Sequence, residues 1–212
     1  MLFLNYGIFE LAYYLLLLCK YTNLHCLNFL LGILKKGLSF DKIGKDLIKL
    51  VVMDADGTIW NHHSVSELVS PFRLISRDIA EDRYGEKVVL KERLREFLEF
   101  AKHKRILVSL ASWNEPENVF ELLSIFKIFD YLVYPMAEPH PNKHSMIKKI
   151  LTNLEMSGKR IYPEEVLYID DRDIHLIDVR ENIGEVNFLK FGYDVKSWQD
   201  VINKLSRMIN EE

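Results

Sequence analysis

The sequence has few cysteines, no strong imbalance of charge and no long uncharged apolar run, and each shortage excludes a class of protein. Its two cysteines, Cys19 and Cys26, lie in the same apolar stretch. If that stretch is one helix, the two side chains are about 10 Å apart, beyond the reach of a disulfide. A disulfide-stabilised scaffold is therefore excluded. We expect both cysteines to behave as small buried apolar residues and the protein to lie in a reducing, cytoplasmic compartment.

The charge and hydropathy patterns argue against three further classes. Lysine and arginine total 28 against 31 aspartates and glutamates, a net charge of −3, so the bulk charge predicts no nucleic-acid partner. No uncharged apolar run reaches the roughly 18 residues of a membrane-spanning helix. The sequence has no basic segment followed by a small-residue cleavage site, the pattern of a signal peptide, so none is expected. The 49% hydrophobic and 28% charged residues are the balance of a soluble globular protein.

Residues 1–46 differ in composition from the rest of the chain. Leu, Phe, Tyr and Ile dominate residues 1–34, and a polar run follows at 37–46. This pattern predicts an apolar helical extension with two helices, at about 5–19 and 22–36. Such helices must be covered. We expect them to pack against the main domain or to form a homodimer, and the alternative is peripheral membrane contact with Lys35 and Lys36 at its edge.

Residues 47–212 alternate short β-rich runs with segments of helical period, which predicts an α/β fold. A Rossmann-like parallel sheet sandwiched by helices is expected. The predicted strands are KLVVMD, ILVSLA, YLVYP, VLYID and VNFLKF, at 49–54, 106–111, 131–135, 166–170 and 186–191. The predicted helices lie at 90–102, 116–126, 144–156 and 197–209.

The segment from about 61 to 89 lacks a clean helical repeat. LISRDIA, then EDRYGEK, then VVL predicts a hairpin that turns around Asp82 to Gly85. We therefore expect a small antiparallel flap after the first strand.

Polar side chains recur where the predicted strands end, and in open parallel sheets ligands bind at those ends. The residues at these places are Asp54, Asp56, Ser112, Lys143, Asp170 and Asp171. Four carboxylates in one crevice would repel each other and could not all stay ionised without a cation. Oxygen ligands alone favour a hard ion such as Mg²⁺, which also binds phosphate oxygens.

Phosphoryl transfer requires an in-line nucleophile, a proton donor for the leaving group and positive charge on the transferring group. Asp54 fits the nucleophile, which would pass through an aspartyl-phosphate. Asp56 fits the general acid and then the general base. Mg²⁺ and Lys143 would neutralise the transferring group, and Ser112 would donate a hydrogen bond to it.

The ordered set DADGT, the Ser of VSLASWN, the Lys of PNK and the Asp pair of LYIDD resembles the haloacid dehalogenase superfamily of phosphatases. Within it, residues 47–205 resemble the capless subfamily III enzymes related to magnesium-dependent acid phosphatase, which share a tryptophan after the first motif, here Trp60. The resemblance implies that Asp54, the backbone carbonyl of Asp56 and Asp171 hold Mg²⁺, with Asp170 assisting either as a direct ligand or through a neighbouring ligand. It also implies phosphate contacts from Ser112, Lys143 and the amides of Trp113 and Asn114. His175 departs from the pattern, because relatives often have Asn there.

Three functions fit these motifs. The first is hydrolysis of a small phosphorylated substrate, a phosphosugar or phosphotyrosine. The second is a related phosphoryl or glyceryl transfer, and the third is an interaction protein with a vestigial site.

His62 and His63 are adjacent, which favours a surface or substrate-facing role over a second metal. Four aromatic residues are either a stacking surface for the leaving group or plain packing residues, namely Trp60, Phe72, Tyr84 and Trp113.

Overall fold

Five parallel strands form the central sheet of the computed structural model, which describes residues 48–210. The strands are β1 (Leu50–Met53), β5 (Leu107–Trp113), β6 (Met136–Glu138), β7 (Val166–Asp170) and β8 (Asn187–Lys190). Their order in the sheet is β6-β5-β1-β7-β8, with β1 at the centre. Every residue of β1 is buried, as expected for a parallel strand covered on both faces.

Helices cover both faces of this sheet, and alternate residues of β1 face opposite ways. Val51 and Met53 belong to one apolar cluster, whereas Leu50 and Val52 belong to a second. The helices are α1 (Leu94–His103), α2 (Pro116–Ile125), α3 (Lys143–Met156), α4 (Leu176–Ile183) and α5 (Trp198–Asn210). Buried residues of α1, α2 and α5 join the first cluster and those of α3 and α4 the second. The predicted sandwich architecture is confirmed.

The flap between β1 and α1 is a three-stranded antiparallel sheet of β2 (Arg73–Ser76), β3 (Ile79–Glu81) and β4 (Lys87–Val89). The predicted turn around Asp82 is confirmed: the Asp82 carboxylate accepts the N–H groups of Tyr84 and Glu86 at 2.8 and 2.9 Å. A second turn, within LISRDIA, was not predicted. A tight turn at Arg77 and Asp78 divides it, and Arg95 binds the Asp78 carboxylate at 2.6 Å and the Arg77 carbonyl at 2.7 Å.

Two other predicted elements are displaced, and one helix was not predicted. The predicted third strand at 131–135 is wrong, because Tyr134 has a left-handed φ of 48° and the strand begins only at Met136. Helix α1 begins at Leu94 rather than at residue 90. The N–H of Lys91 binds the carbonyl of Ile59 instead, at 2.9 Å, which ties this segment to the chain after β1. Helix α4 was absent from the predicted elements.

The predicted N-terminal helices, both cysteines, and the surfaces proposed for dimerisation or membrane contact lie outside the described residues. Within residues 48–210, no helix has both the length and the apolar character needed to cross a membrane.

Candidate active site

Asp54 follows β1 directly and begins a tight turn. Its N–H continues the sheet pairing to the carbonyl of Ile169 at 2.8 Å, so the sheet fixes the start of the turn. Gly57 completes the turn with a φ of 68°, a conformation that favours glycine. A Cβ atom at Gly57 would lie 2.6 Å from Oδ2 of Asp171. Glycine here therefore lets the end of β7 approach the end of β1.

Lys143 is the first residue of α3, and its side chain is buried between two carboxylates. Its ammonium group contacts Oδ1 of Asp54, donates to the carbonyl of Ala111 at 2.5 Å and lies 3.8 Å from Oδ2 of Asp170. Residues 89 positions apart in the sequence are thus paired at the carboxyl end of the sheet. The structure therefore places Lys143 beside Asp54 and Asp170, and its contact with phosphate stays a prediction.

Asp170 and Asp171 lie at the end of β7. Asp170 accepts hydrogen bonds from the hydroxyl of Tyr168 and, at 2.9 Å, from the N–H of Arg172. The N–H of Asp171 donates to the hydroxyl of Thr58 at 3.1 Å, which links β7 to the turn after β1. Tyr168 and Thr58 were not among the predicted site residues. Both could have been noticed only from their positions beside the predicted aspartates.

The acidic cluster formed by Asp54, Asp170 and Asp171 fits a divalent cation. One carboxylate oxygen of each lies within 4.8 Å of the others. Oδ2 of Asp54 and Oδ1 of Asp171 are buried and have no hydrogen-bond partner. Buried oxygens normally have a partner, so two orphaned oxygens in a cluster of hard ligands suit an ion that prefers oxygen.

The electrostatics of the acidic cluster agree with this fit. Burial raises the pKa of Asp54 to about 7, the charge of Lys143 opposes this rise, and the charge of Asp170 adds to it. Burial and then the charge of Asp170 also raise the pKa of Asp171. Both carboxyl groups therefore hold their negative charge at a cost that a bound cation would remove.

The side chain of Asp56 lies outside the acidic cluster and is held by other donors. Its Oδ1 accepts the indole N–H of Trp60 at 2.6 Å and the N–H of Val65 at 3.4 Å. Its Oδ2 accepts the amide of Asn114 at 2.8 Å. The backbone carbonyl of Asp56 as a metal ligand stays a prediction.

Ser112, Trp113 and Asn114 form the end of β5 and the residue after it. The buried hydroxyl of Ser112 accepts a hydrogen bond from the Asn114 amide at 2.9 Å. The N–H of Asn114 donates to the carbonyl of Glu138 at 3.1 Å, so this structure already uses the amide expected to bind phosphate. The phosphate contacts of all three residues stay predictions.

A crevice of about 340 Å³ adjoins Asp56. Its lining includes Ser66, Trp113, Pro139 and Arg172. Trp113 is 43% exposed, whereas Trp60 is fully buried and Phe72 nearly so. Of the four aromatic residues predicted as stacking or packing residues, Trp60 and Phe72 are packing residues and Trp113 lines the crevice. The exposed Tyr84 lies on the flap turn.

Among the described residues, no histidine belongs to a group of three or more side chains that could hold a metal ion. The ring of His62 accepts the N–H of Ser64 at 3.2 Å and stacks on His63, and His63 lies 3.3 Å from the carboxylate of Glu67. His175 precedes α4, and burial, followed by the charge of Lys143, lowers its pKa.

A family model described as Acid Phosphatase matches residues 46–206. No curated protein matches the chain. Among solved structures, a haloacid dehalogenase superfamily hydrolase from Ehrlichia chaffeensis is similar, with a TM-score of 0.57 and 14% identity over 77% of this chain and 98% of that one.

Two further structures have TM-scores of 0.50. One is the N-terminal part of a Bacteroides fragilis protein containing a phosphatase domain complexed with Mg, with 18% identity over 78% of this chain and 40% of that one. The other is a Vibrio cholerae protein described as a 3-deoxy-D-manno-octulosonate 8-phosphate phosphatase, with 15% identity over 79% and 88%. At these identities the likenesses show the fold alone.

Proposed function

From its membership of the acid phosphatase family of the haloacid dehalogenase superfamily, which makes the chain a phosphatase, we propose a more specific activity. The chain is a magnesium-dependent phosphomonoester hydrolase that acts through an aspartyl-phosphate on Asp54. The observation that carries the proposal is the acidic cluster beside Lys143. A buried ammonium group contacts Asp54, and Asp54 and Asp171 each retain a buried oxygen without a hydrogen-bond partner. This arrangement of charges suits a cation and a phosphoryl group.

Asp54, Asp170 and Asp171 would hold Mg²⁺, together with the carbonyl of Asp56. The bound ion would neutralise charge on the transferring phosphoryl group. The donor set supports this choice, because all three side chains offer oxygen and Mg²⁺ favours oxygen ligands. The fold neighbour from Bacteroides fragilis is described as complexed with Mg, which is compatible with the proposal.

In the first step Asp54 attacks phosphorus, the bond to the leaving oxygen breaks, and Asp56 donates a proton to that oxygen. In the second step Asp56 takes a proton from water, and the water oxygen attacks phosphorus and releases Asp54. The crevice beside Asp56 supports this division of roles, because a leaving group placed there would lie next to its proton donor. Lys143 would stabilise the equatorial oxygens of the transferring group.

We also propose phosphate contacts from Ser112, Lys143 and the N–H groups of Trp113 and Asn114. The N–H of Asn114 would first have to leave the carbonyl of Glu138. For the substrate we propose a phosphosugar or phosphotyrosine, because the crevice of about 340 Å³ offers the exposed face of Trp113 to a ring. The name of the Vibrio cholerae neighbour is compatible with a phosphosugar.

The domain organisation is also a proposal, with residues 1–46 as an apolar extension and 47–212 as the phosphatase domain that carries the flap. The start of the family match at residue 46 supports this boundary. A homodimer through residues 1–46 and a cytoplasmic location remain proposals of the sequence.

The decisive test is release of p-nitrophenol from p-nitrophenyl phosphate by the full chain in the presence of Mg²⁺. We expect turnover by the natural chain and a loss of at least about 1,000-fold in Asp54→Asn, which lacks the nucleophile. Acid-quench trapping with a radiolabelled phosphate ester should label the natural chain and leave Asp54→Asn unlabelled. Equal turnover by the two proteins would overturn the proposal.

A further inference from the structure

Asn114 connects three parts of the site through one side chain. Its amide nitrogen donates to Oδ2 of Asp56 at 2.8 Å and to Oγ of Ser112 at 2.9 Å. Its carbonyl oxygen accepts the N–H of Ser66 at 3.2 Å and the hydroxyl of Ser66 at 2.7 Å. Two donor hydrogens and two acceptor lone pairs are all a primary amide has. The hydrogen-bonding capacity of Asn114 is therefore filled.

This complete set of partners fixes the direction of the amide. Turning it over would place its carbonyl oxygen against the carboxylate of Asp56 and its nitrogen against the N–H of Ser66. Both contacts would be repulsive, and Asn114 is 97% buried, so water could not relieve them. Asn114 thus has one orientation, which presents its donors to Asp56 and Ser112.

The other end of the connection is also fixed. Ser66 lies in the 3₁₀ turn Val65–Glu67 that precedes the flap, and its hydroxyl accepts the N–H of Glu115 at 2.8 Å. The amide of Asn118, on α2, donates to the carbonyls of Val65 and Leu68 at 2.8 and 2.9 Å. The turn that carries Ser66 is therefore attached to α2, and Ser66 offers Asn114 a rigid partner.

We propose that Asn114, held by Ser66, is a positioning residue that sets both the place of the Asp56 carboxylate and the direction of the Ser112 hydroxyl. This inference rests on the proposed function, in which Asp56 transfers the proton of the leaving group. Because Ser112 accepts from Asn114, its own hydrogen is directed elsewhere and is available for a phosphate oxygen. One side chain thereby aligns the phosphate-binding group with the proton-transfer group.

The strength of the leaving group separates this role from a merely structural one. An alkyl phosphate needs a proton for its leaving oxygen, whereas p-nitrophenyl phosphate has a good leaving group and depends little on an acid. In Asn114→Ala we expect kcat/KM, which reports the first step alone, to fall by about 100-fold with an alkyl phosphate and by less than about 10-fold with p-nitrophenyl phosphate. The rates compared are kcat/KM values, because kcat also contains hydrolysis of the phosphoenzyme that both substrates share. Ser66→Ala, which keeps the backbone N–H, should shift the ratio in the same direction by a smaller factor.

Asn114→Asp and Asn187→Ala complete the series. Asn114→Asp keeps the shape but replaces the donor to Asp56 by an acceptor, so Asp56 loses the hydrogen bond that places it and the alkyl phosphate reaction should fall at least as much as in Asn114→Ala. Asn187 is a control for loss of an asparagine amide away from the site, because its amide nitrogen likewise donates two hydrogen bonds, to the carbonyls of Glu164 and Val166, at the other end of the sheet. Asn187→Ala should leave the ratio of the two rates unchanged.

A double variant tests whether Asn114 acts through Asp56. In an Asp56→Asn background, adding Asn114→Ala should change the ratio of the two rates by less than about 2-fold, because no proton donor remains to be placed. Equal losses on both substrates in Asn114→Ala, or a full further change of the ratio in the Asp56→Asn background, would overturn the inference. Neither result would affect the proposed hydrolysis, which fails if the natural chain does not turn over p-nitrophenyl phosphate or if Asp54→Asn is equally active. Ser66→Ala decides the matter should Asn114→Ala not fold.

Discussion

Lys143 and Asp54 form an ion pair in which both side chains are buried, with 0% and 3% of their surfaces exposed. Because neither buried charge is solvated by water, each is stabilised by the opposite charge of its partner. Asp170 lies 3.8 Å from the same ammonium group, so one cation serves two carboxylates. The pair is therefore a structural element of the site as well as the proposed source of charge for phosphate binding.

Replacing Lys143 by Met should lower both stability and activity. The change keeps the length of the side chain but leaves Asp54 and Asp170 without their ammonium partner. We expect a loss of about 3 kcal/mol in the free energy of unfolding, measured in urea at pH 8 without divalent ions. Activity should fall by at least about 100-fold.

Lys149→Met is the matched control for this change. Lys149 lies on the same helix, but its side chain is 52% exposed where it pairs with Glu138 at 2.8 Å. An exposed ion pair contributes less than about 1 kcal/mol, so Lys149→Met should be nearly neutral. Similar losses in the two variants would show that burial does not set the strength of the Lys143 contact.

Mg²⁺ should raise the melting temperature of the chain, and chelation with EDTA should reverse the rise. A ligand at 100 times its Kd stabilises the native state by about 2.7 kcal/mol. Asp171→Asn removes one charge of the acidic cluster and should abolish most of the shift in differential scanning fluorimetry. Asp173→Asn is the control, because Asp173 is exposed and pairs with Lys190 at 3.1 Å. An unchanged shift in Asp171→Asn would place the ion elsewhere.

The strands are predictable where an apolar run ends in polar residues. They are less predictable where a single backbone angle decides whether a run is extended. VLYID forms β7 as predicted, since its apolar residues are buried and its polar end reaches the site. YLVYP has similar composition but contains the left-handed Tyr134 before Pro135, which ends any extended run. Helix α4 escaped prediction because it is short and only one of its residues, Val179, is fully buried.

The site was predictable as a set of residues but not as a network. The predicted residues lie at or just after strand ends, so topology alone brings them to one edge of the sheet. They are Asp54, Ser112, Lys143, Asp170 and Asp171. The contact between Ser66 and Asn114 joins residues 48 positions apart and depends on how the flap begins. No sequence period encodes that placement. The hydrogen bond from Trp60 to Asp56 is likewise absent from the predictions, although the resemblance marks Trp60 as a residue shared after the DADGT motif.

The flap turn should lose stability in acid because of Asp82. Burial raises the pKa of Asp82, but the N–H groups of Val69, Glu86 and Tyr84 outweigh burial and hold the pKa below its usual range. A lowered folded-state pKa gives stability that is present above the unfolded pKa of about 3.9 and lost as pH falls through the folded value. Asp82→Asn should therefore be less stable than the natural chain at pH 7, with the difference shrinking below about pH 4. Urea unfolding from pH 7 to pH 3 measures it, and a constant difference would contradict the assignment.

Gly57→Ala and Gly85→Ala separate backbone strain from crowding at the acidic cluster. Both glycines have positive φ, 68° and 90°, so alanine costs about 1–2 kcal/mol at either position. A Cβ at Gly85 meets nothing within 4 Å, whereas one at Gly57 would lie 2.6 Å from Oδ2 of Asp171. Gly57→Ala must therefore also displace Asp171, and we expect a weaker apparent affinity for Mg²⁺ and lower activity. Gly85→Ala should lose only stability, measured in urea. If the two variants show the same Mg²⁺ dependence in the phosphatase assay, metal binding does not require the close approach of Asp171 to Gly57.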